Sequence, residues 1–73
     1  MKTLNDLRCG VTAKVLDIKG EGALKRHILD MGVTRGTPVT VKKIAPLGDP
    51  IQISVRGYDL SLRRADAGLI AVQ

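Results

Sequence analysis

Few side chains in this sequence could carry chemistry by themselves. His27 is the single histidine and Cys9 the single cysteine. No serine or cysteine motif accompanies His27, so it has no nucleophile to activate. A thiol becomes reactive when nearby positive charge or a helix N-terminus holds it as thiolate; Cys9 has no evident activating partner. Neither Cys-x-x-Cys nor His-x-x-x-His occurs, so the spacing of a metal cage is missing. Glu21, Asp30 and Asp49 offer hard oxygens, but at separations that match no known cation loop. The Gly-x-x-x-x-Gly-Lys-Ser/Thr phosphate loop is absent, and Gly20-x-Gly22 is too short to count as a cradle. These observations predict a chain that is not an enzyme and carries no cofactor and no metal of its own.

What remains is chemistry of recognition. Leu24, Ile28 and Met31 repeat at i, i+4 and i+7 and define one apolar face of a short helix. His27 flanks that stripe and is expected at the edge of the core. Leu29 lies about 100–140° away from it around the helix. It is either covered by a broadly packed helix or left outside as an apolar contact, beside Lys25 and Arg26. Leu47 and Asp49 sit in the turn Pro46-Leu47-Gly48-Asp49-Pro50, and Tyr58 follows the tight Arg56-Gly57 turn. Lys25, Arg26, Leu29, Leu47, Asp49 and Tyr58 are therefore the candidate partner-binding residues. The two lysine and arginine charges would supply complementarity, the leucines apolar anchors, and Asp49 the orientation of its turn.

The elements that must hold these residues are mostly strands. Thr3 or Asn5 can cap one helical turn between Leu4 and Leu7. Val11, Ala13 and Val15 alternate with Thr12 and Lys14, the period of a half-buried strand. The phase then slips, so that Leu16 and Ile18 carry the apolar side, which predicts a β-bulge. Gly20-Glu21-Gly22 opens the helix, with Glu21 and Lys25 spaced as an i, i+4 ion pair. Gly32 closes it in the left-handed conformation that ends many helices. Val39 and Val41 begin a second strand whose phase slips through Lys42-Lys43 to Ile44. Ile51, Ile53 and Val55 alternate through a third, and Tyr58, Leu60 and Leu62 through a fourth. A short helical turn over residues 63–68 leads to a closing strand at Leu69–Val72. Five short strands with such inserts predict a mainly β fold, a small five-stranded barrel with a helix after the first strand and helical turns near both ends.

Composition narrows the setting. A chain of 73 residues is expected to form one domain, spanning 1–73. One cysteine cannot form an internal disulfide, and a lone thiol suits a reducing compartment. After Met1-Lys2 the sequence passes straight to polar residues, with no apolar leader, and no run approaches the length of a membrane helix. Twelve Lys and Arg against seven Asp and Glu give a formal charge of +5, which favours acidic partners. The basic residues are scattered, apart from the pairs Lys25-Arg26, Lys42-Lys43 and Arg63-Arg64. Tyr58 is the one aromatic residue, whereas binders of single-stranded nucleic acid stack bases on several rings.

Taken together, Leu24 to Gly36, the Ala45-Pro46-Leu47-Gly48-Asp49-Pro50 turn, and the hairpin from Val55 to Arg63 with Leu69-Ile70-Ala71-Val72 after it resemble the FeoA family. Met31-Gly32 with Gly36, and the Pro-Leu-Gly-Asp-Pro turn in register with Arg56-Gly57-Tyr58, are the most specific parts. The resemblance covers the chain from Thr3 to Val72. Cys9 departs from it, standing where many members have proline. The resemblance implies an SH3-like barrel in the cytoplasm, recruited to the inner face of the membrane by its partner. That partner would be FeoB, the ferrous-iron permease with a cytosolic GTP-hydrolysing domain. It implies an accessory or regulator of iron uptake and not an iron carrier. Two other readings stand beside it. One is a metal-responsive regulatory module like the SH3-like C-terminal domain of iron-dependent repressors. The other is a basic nucleic-acid-binding barrel, which a salt titration would reveal. Self-association is a further expectation for so small a domain.

Overall fold

The computed structural model describes residues 2–73. A 3₁₀ turn over Leu4–Asp6 precedes strand β1, Thr12–Ile18. Helix α1 follows at Gly22–Asp30, then strands β2 (Pro38–Ile44), β3 (Ile51–Val55) and β4 (Tyr58–Leu62). A one-turn helix α2, Arg64–Ala67, and strand β5, Ile70–Val72, complete the chain. The strands form one antiparallel sheet in the order β4-β3-β2-β1-β5.

β1 belongs to both halves of this sheet. Its first residues pair with β2, Thr12 opposite Thr40 and Ala13 opposite Val39. Its last residues pair with β5, Val15 opposite Val72 and Ile18 opposite Ile70. The change of partner coincides with a bulge, because Val15 and Asp17 face consecutive residues of β5 and Leu16 is the extra residue. A bulge bends its strand and increases the local twist, which carries β1 from one half of the sheet to the other. The predicted bulge is present, but Leu16 does not join the apolar face: it is 50% exposed, while Ile18 is buried. The extra residue breaks strict alternation, so Leu16 and Asp17 both lie off the core face between buried Val15 and Ile18, and Leu16 is not on the apolar side that alternation predicts. Lys42 is the extra residue of a second bulge, between Val41 and Lys43 in β2.

The core draws on every strand. Val15, Ile18, Val39, Val41, Ile51, Ile53, Val55, Leu62, Ile70 and Val72 are buried, joined by Leu4, Leu7, Ile28, Val33 and Ala67 from the inserts. β3 shows the cleanest case, burying Ile51, Ile53 and Val55 and turning Gln52 and Ser54 toward solvent. The 3₁₀ turn is pinned on both sides. The Asp6 carboxylate accepts the Thr3 N–H at 2.8 Å, and Asn5 Nδ2 donates to the Arg64 carbonyl at 2.9 Å. Thr3 thus holds the cap position, and Asn5 serves as a tie to α2.

α1 sits on the sheet more lightly than its periodicity predicts. Ile28 is its one buried residue; Leu24 is 39% exposed and Met31 half-buried. His27 is exposed instead of lying at the core edge. The Glu21–Lys25 pair is not formed, and the ion pair among the described residues is Arg35–Asp17 at 3.2 Å. The helix is anchored through its C-terminal end, where Val33 is buried and the following Gly36 N–H donates to the Val15 carbonyl at 2.7 Å.

Candidate functional site

The candidate residues fall at two ends of the molecule. The first group surrounds α1 and the β3–β4 hairpin. Arg26 and Leu29 are exposed on α1, Leu29 by 39%, while Lys25 is half-buried. The hairpin turn has positive φ at both Arg56 (52°) and Gly57 (83°). This is the two-residue geometry whose twist matches paired strands. It brings Arg56 back against the end of α1. Arg56 Nη2 donates to Thr34 Oγ1 at 3.4 Å, and a Cβ on Gly32 would lie 3.7 Å from Arg56 Cδ. Gly32 itself has φ +92°, the left-handed conformation expected where α1 ends.

Tyr58 starts β4 next to this turn, opposite Val55. Its register puts it on the core side of the sheet, yet it is 71% exposed while its partner Val55 is buried. The hairpin tip therefore places Tyr58 at the same end of the fold as the C-terminus of α1. Arg56, outside the expected set, is exposed and is brought by this turn beside the end of α1.

Lys25 has a different neighbour from Arg26. The Ile18 N–H and the Arg35 guanidinium hold the Asp17 carboxyl below the usual carboxylate range, and the positive charge of Lys25 adds to that pull. The Lys25 side of α1 thus looks toward the end of β1, where Asp17 and Arg35 are already paired.

The second group lies at the other end of β3, four residue steps or about 13 Å of strand away. Leu47 is 93% exposed at the tip of its turn. Asp49 Oδ1 accepts the Arg64 N–H at 3.1 Å, fixing the turn on α2. Beneath the turn is an open depression of about 320 Å³, walled by Ala45, Pro46 and Pro50 and floored by Lys43, Gln52 and Ser61. Among the described residues no three His, Cys, Asp or Glu side chains converge as a metal site. No helix is long and apolar enough to cross a membrane.

The comparisons with known proteins agree with this geometry. Residues 2–73 match the model of the FeoA domain. A fusion of Fe(2+) transport protein A with the Fe(2+) transporter FeoB from Porphyromonas gingivalis is 39% identical over 70 residues. The match covers 96% of this chain but only 8% of that protein. The solution structure of the FeoA protein from Chlorobium tepidum superposes with a TM-score of 0.91 at 38% identity, covering 99% of this chain and 69% of that one. FeoA from Stenotrophomonas maltophilia, solved with zinc and called a prokaryotic SH3 domain protein, superposes with a TM-score of 0.89. At 23% identity over 100% of this chain and 91% of that one, it shows the fold, an SH3-like barrel. With a family match that runs from Lys2 to Gln73 and a fold shared with FeoA structures, this chain belongs to the FeoA family.

Proposed function

We propose that this domain acts in bacterial ferrous-iron uptake as an accessory module that docks on the cytosolic part of FeoB. One observation carries the reading: in the Porphyromonas gingivalis relative, a segment 39% identical to this chain is part of the same polypeptide as FeoB. Joining two modules in one chain replaces a bimolecular encounter by a high effective concentration. Such a fusion is productive where the two parts work against each other. Residues 1–73 would act as a single unit in this role.

The docking face proposed here is the exposed side of α1 with the hairpin tip. Leu29 and Tyr58 present apolar surface there and Arg26 provides charge for an acidic face, while Lys25, half-buried near the Asp17–Arg35 pair, adds positive charge from the neighbouring side of α1. Leu47 and Asp49, at the far end of β3, would make a separate contact. The module can tune the transporter only by preferring one of its states, for instance one nucleotide state of the GTPase domain.

The test is a titration of isotope-labelled protein with the FeoB cytosolic GTPase domain, followed by NMR, in GDP and GTP-analogue forms. Saturable shifts at residues 25–32 and 56–58 are the expected result, and a difference between nucleotide forms would identify a state-selective regulator. No shifts in either form would overturn docking on that domain.

A further inference from the structure

We infer that the depression beneath the 45–50 turn is a docking site for an extended acidic peptide segment that inserts an apolar side chain. This site goes beyond the α1 face and stands on separate observations. Lys43, Gln52 and Ser61 are consecutive partners across β2, β3 and β4, so they form one outward row of the sheet. The row lies under an apolar wall of Ala45, Pro46 and Pro50 that Ile44, 38% exposed, completes, and Leu47, 93% exposed, stands in the same turn. A place where apolar walls meet hydrogen-bonding side chains favours a ligand with both kinds of group.

The occupant follows from charge and from the sheet edge. Lys43 stands in the floor. Arg63 is two residues beyond Ser61 on the same alternation, and Arg64 reaches the turn, where a Cβ on Gly48 would lie 2.9 Å from its Nη1. The turn's own carboxylate, Asp49, keeps its charge while accepting the Arg64 backbone N–H, but it stands against Lys43, Arg63 and Arg64, and Asp59 stands one row away, opposite Ser54. The rim is thus positive, and it selects an acidic ligand. β4 is an edge of the sheet, paired with β3 on one side. An edge strand accepts an added strand by main-chain hydrogen bonds, with neighbouring pockets choosing alternate side chains. Ser61 on that edge is small, so a side chain from an added strand can pass over it into the depression.

The test uses the labelled full chain and a synthetic heptapeptide, acetyl-Glu-Asp-Leu-Glu-Asp-Leu-Glu-amide. Two control peptides replace its acids by lysine or its leucines by serine. Phosphatidylglycerol vesicles form a further arm. The expected result is saturable shifts at Lys43, Gln52, Ser61 and along β4 with the first peptide alone. Binding should weaken about tenfold in Lys43→Glu, which reverses the charge, and in Ser61→Tyr, which fills the opening. Both positions are exposed, so the variants keep the fold, checked by their unchanged spectra elsewhere. No shifts, shifts confined to α1, an equal response to the lysine peptide, or vesicles engaging these residues while the peptide does not would each overturn the inference. Binding of the FeoB domain at α1 is read in a separate titration, so either reading can fail without the other.

Discussion

The carboxylate of Asp49 accepts the backbone N–H of Arg64 at 3.1 Å, so a turn between β2 and β3 caps the short helix that follows β4. Arg64 is the first residue of α2, whose leading N–H groups have no partner within the helix. A carboxylate there gains a charge-assisted hydrogen bond and a favourable position at the positive end of the helix. The same helix is held from its other side by Asn5 Nδ2 on the Arg64 carbonyl at 2.9 Å. One residue thereby joins the N-terminal turn, the 45–50 turn and α2.

Removing that cap tests its weight. Asp49→Ala should cost about 1 kcal/mol in urea denaturation, the usual cost of losing a side chain that caps a helix N-terminus. Asp49→Asn, which keeps the acceptor, should lose less than half of that. Equal losses for both would show that the charge and not the hydrogen bond matters.

Gly32 ends α1 with φ +92°, and a Cβ there would meet Arg56 Cδ at an ordinary 3.7 Å. The cost of Gly32→Ala is then conformational and not steric, about 1 kcal/mol. A loss below about 0.3 kcal/mol in chemical denaturation would mean that the helix end relaxes to another conformation.

Ile28 and Leu29 are neighbours with opposite tasks. Ile28 is fully buried and Leu29 is 39% exposed. Ile28→Ala should destabilise the fold by about 2–4 kcal/mol through lost burial and a cavity. Leu29→Asp should change stability by less than about 0.5 kcal/mol while weakening FeoB binding at least about tenfold, one favourable contact's worth. Calorimetry on the folded variant measures the second effect, and a Leu29→Asp protein that binds normally would remove α1 from the docking face.

Asp17 makes stability pH-dependent on the acid side. Its folded-state pKa is lowered by the Ile18 N–H and then by Arg35. A depressed carboxyl contributes stability that is fully present above its unfolded value, about pH 4, and is lost as pH falls through the folded value. Thermal melts below about pH 4 should therefore drop more steeply for the parent than for Asp17→Asn. Parallel curves would show that the Arg35 pair adds nothing in solution, as many exposed pairs do.

Most of the architecture was legible as periodicity. Ile51, Ile53 and Val55 alternate because β3, paired with β2 and β4, lays one face on the core. Gly32, Gly57 and the Pro46–Pro50 turn mark chain reversals by backbone chemistry that needs no tertiary context. The family resemblance rested on these same residues. For the expected partner-binding residues, residue type identifies a charge or an anchor but not its surroundings. Lys25 and Arg26 are adjacent in sequence, yet Lys25 sits near the Asp17–Arg35 pair while Arg26 is exposed.

By itself the sequence determined the order of strands and inserts, the places where the chain turns, and the lack of a catalytic or metal-binding pattern. Each follows from local stereochemistry or residue identity. Only the tertiary structure decided that Leu16 is the outward residue of its bulge, that Leu24 and Leu29 are equally exposed on a helix seated by Ile28, and that Tyr58 and Leu47 lie at opposite ends of β3. Periodicity records the spacing of apolar groups along an element. How much of that element is covered depends on what packs against it, and those neighbours are distant in sequence.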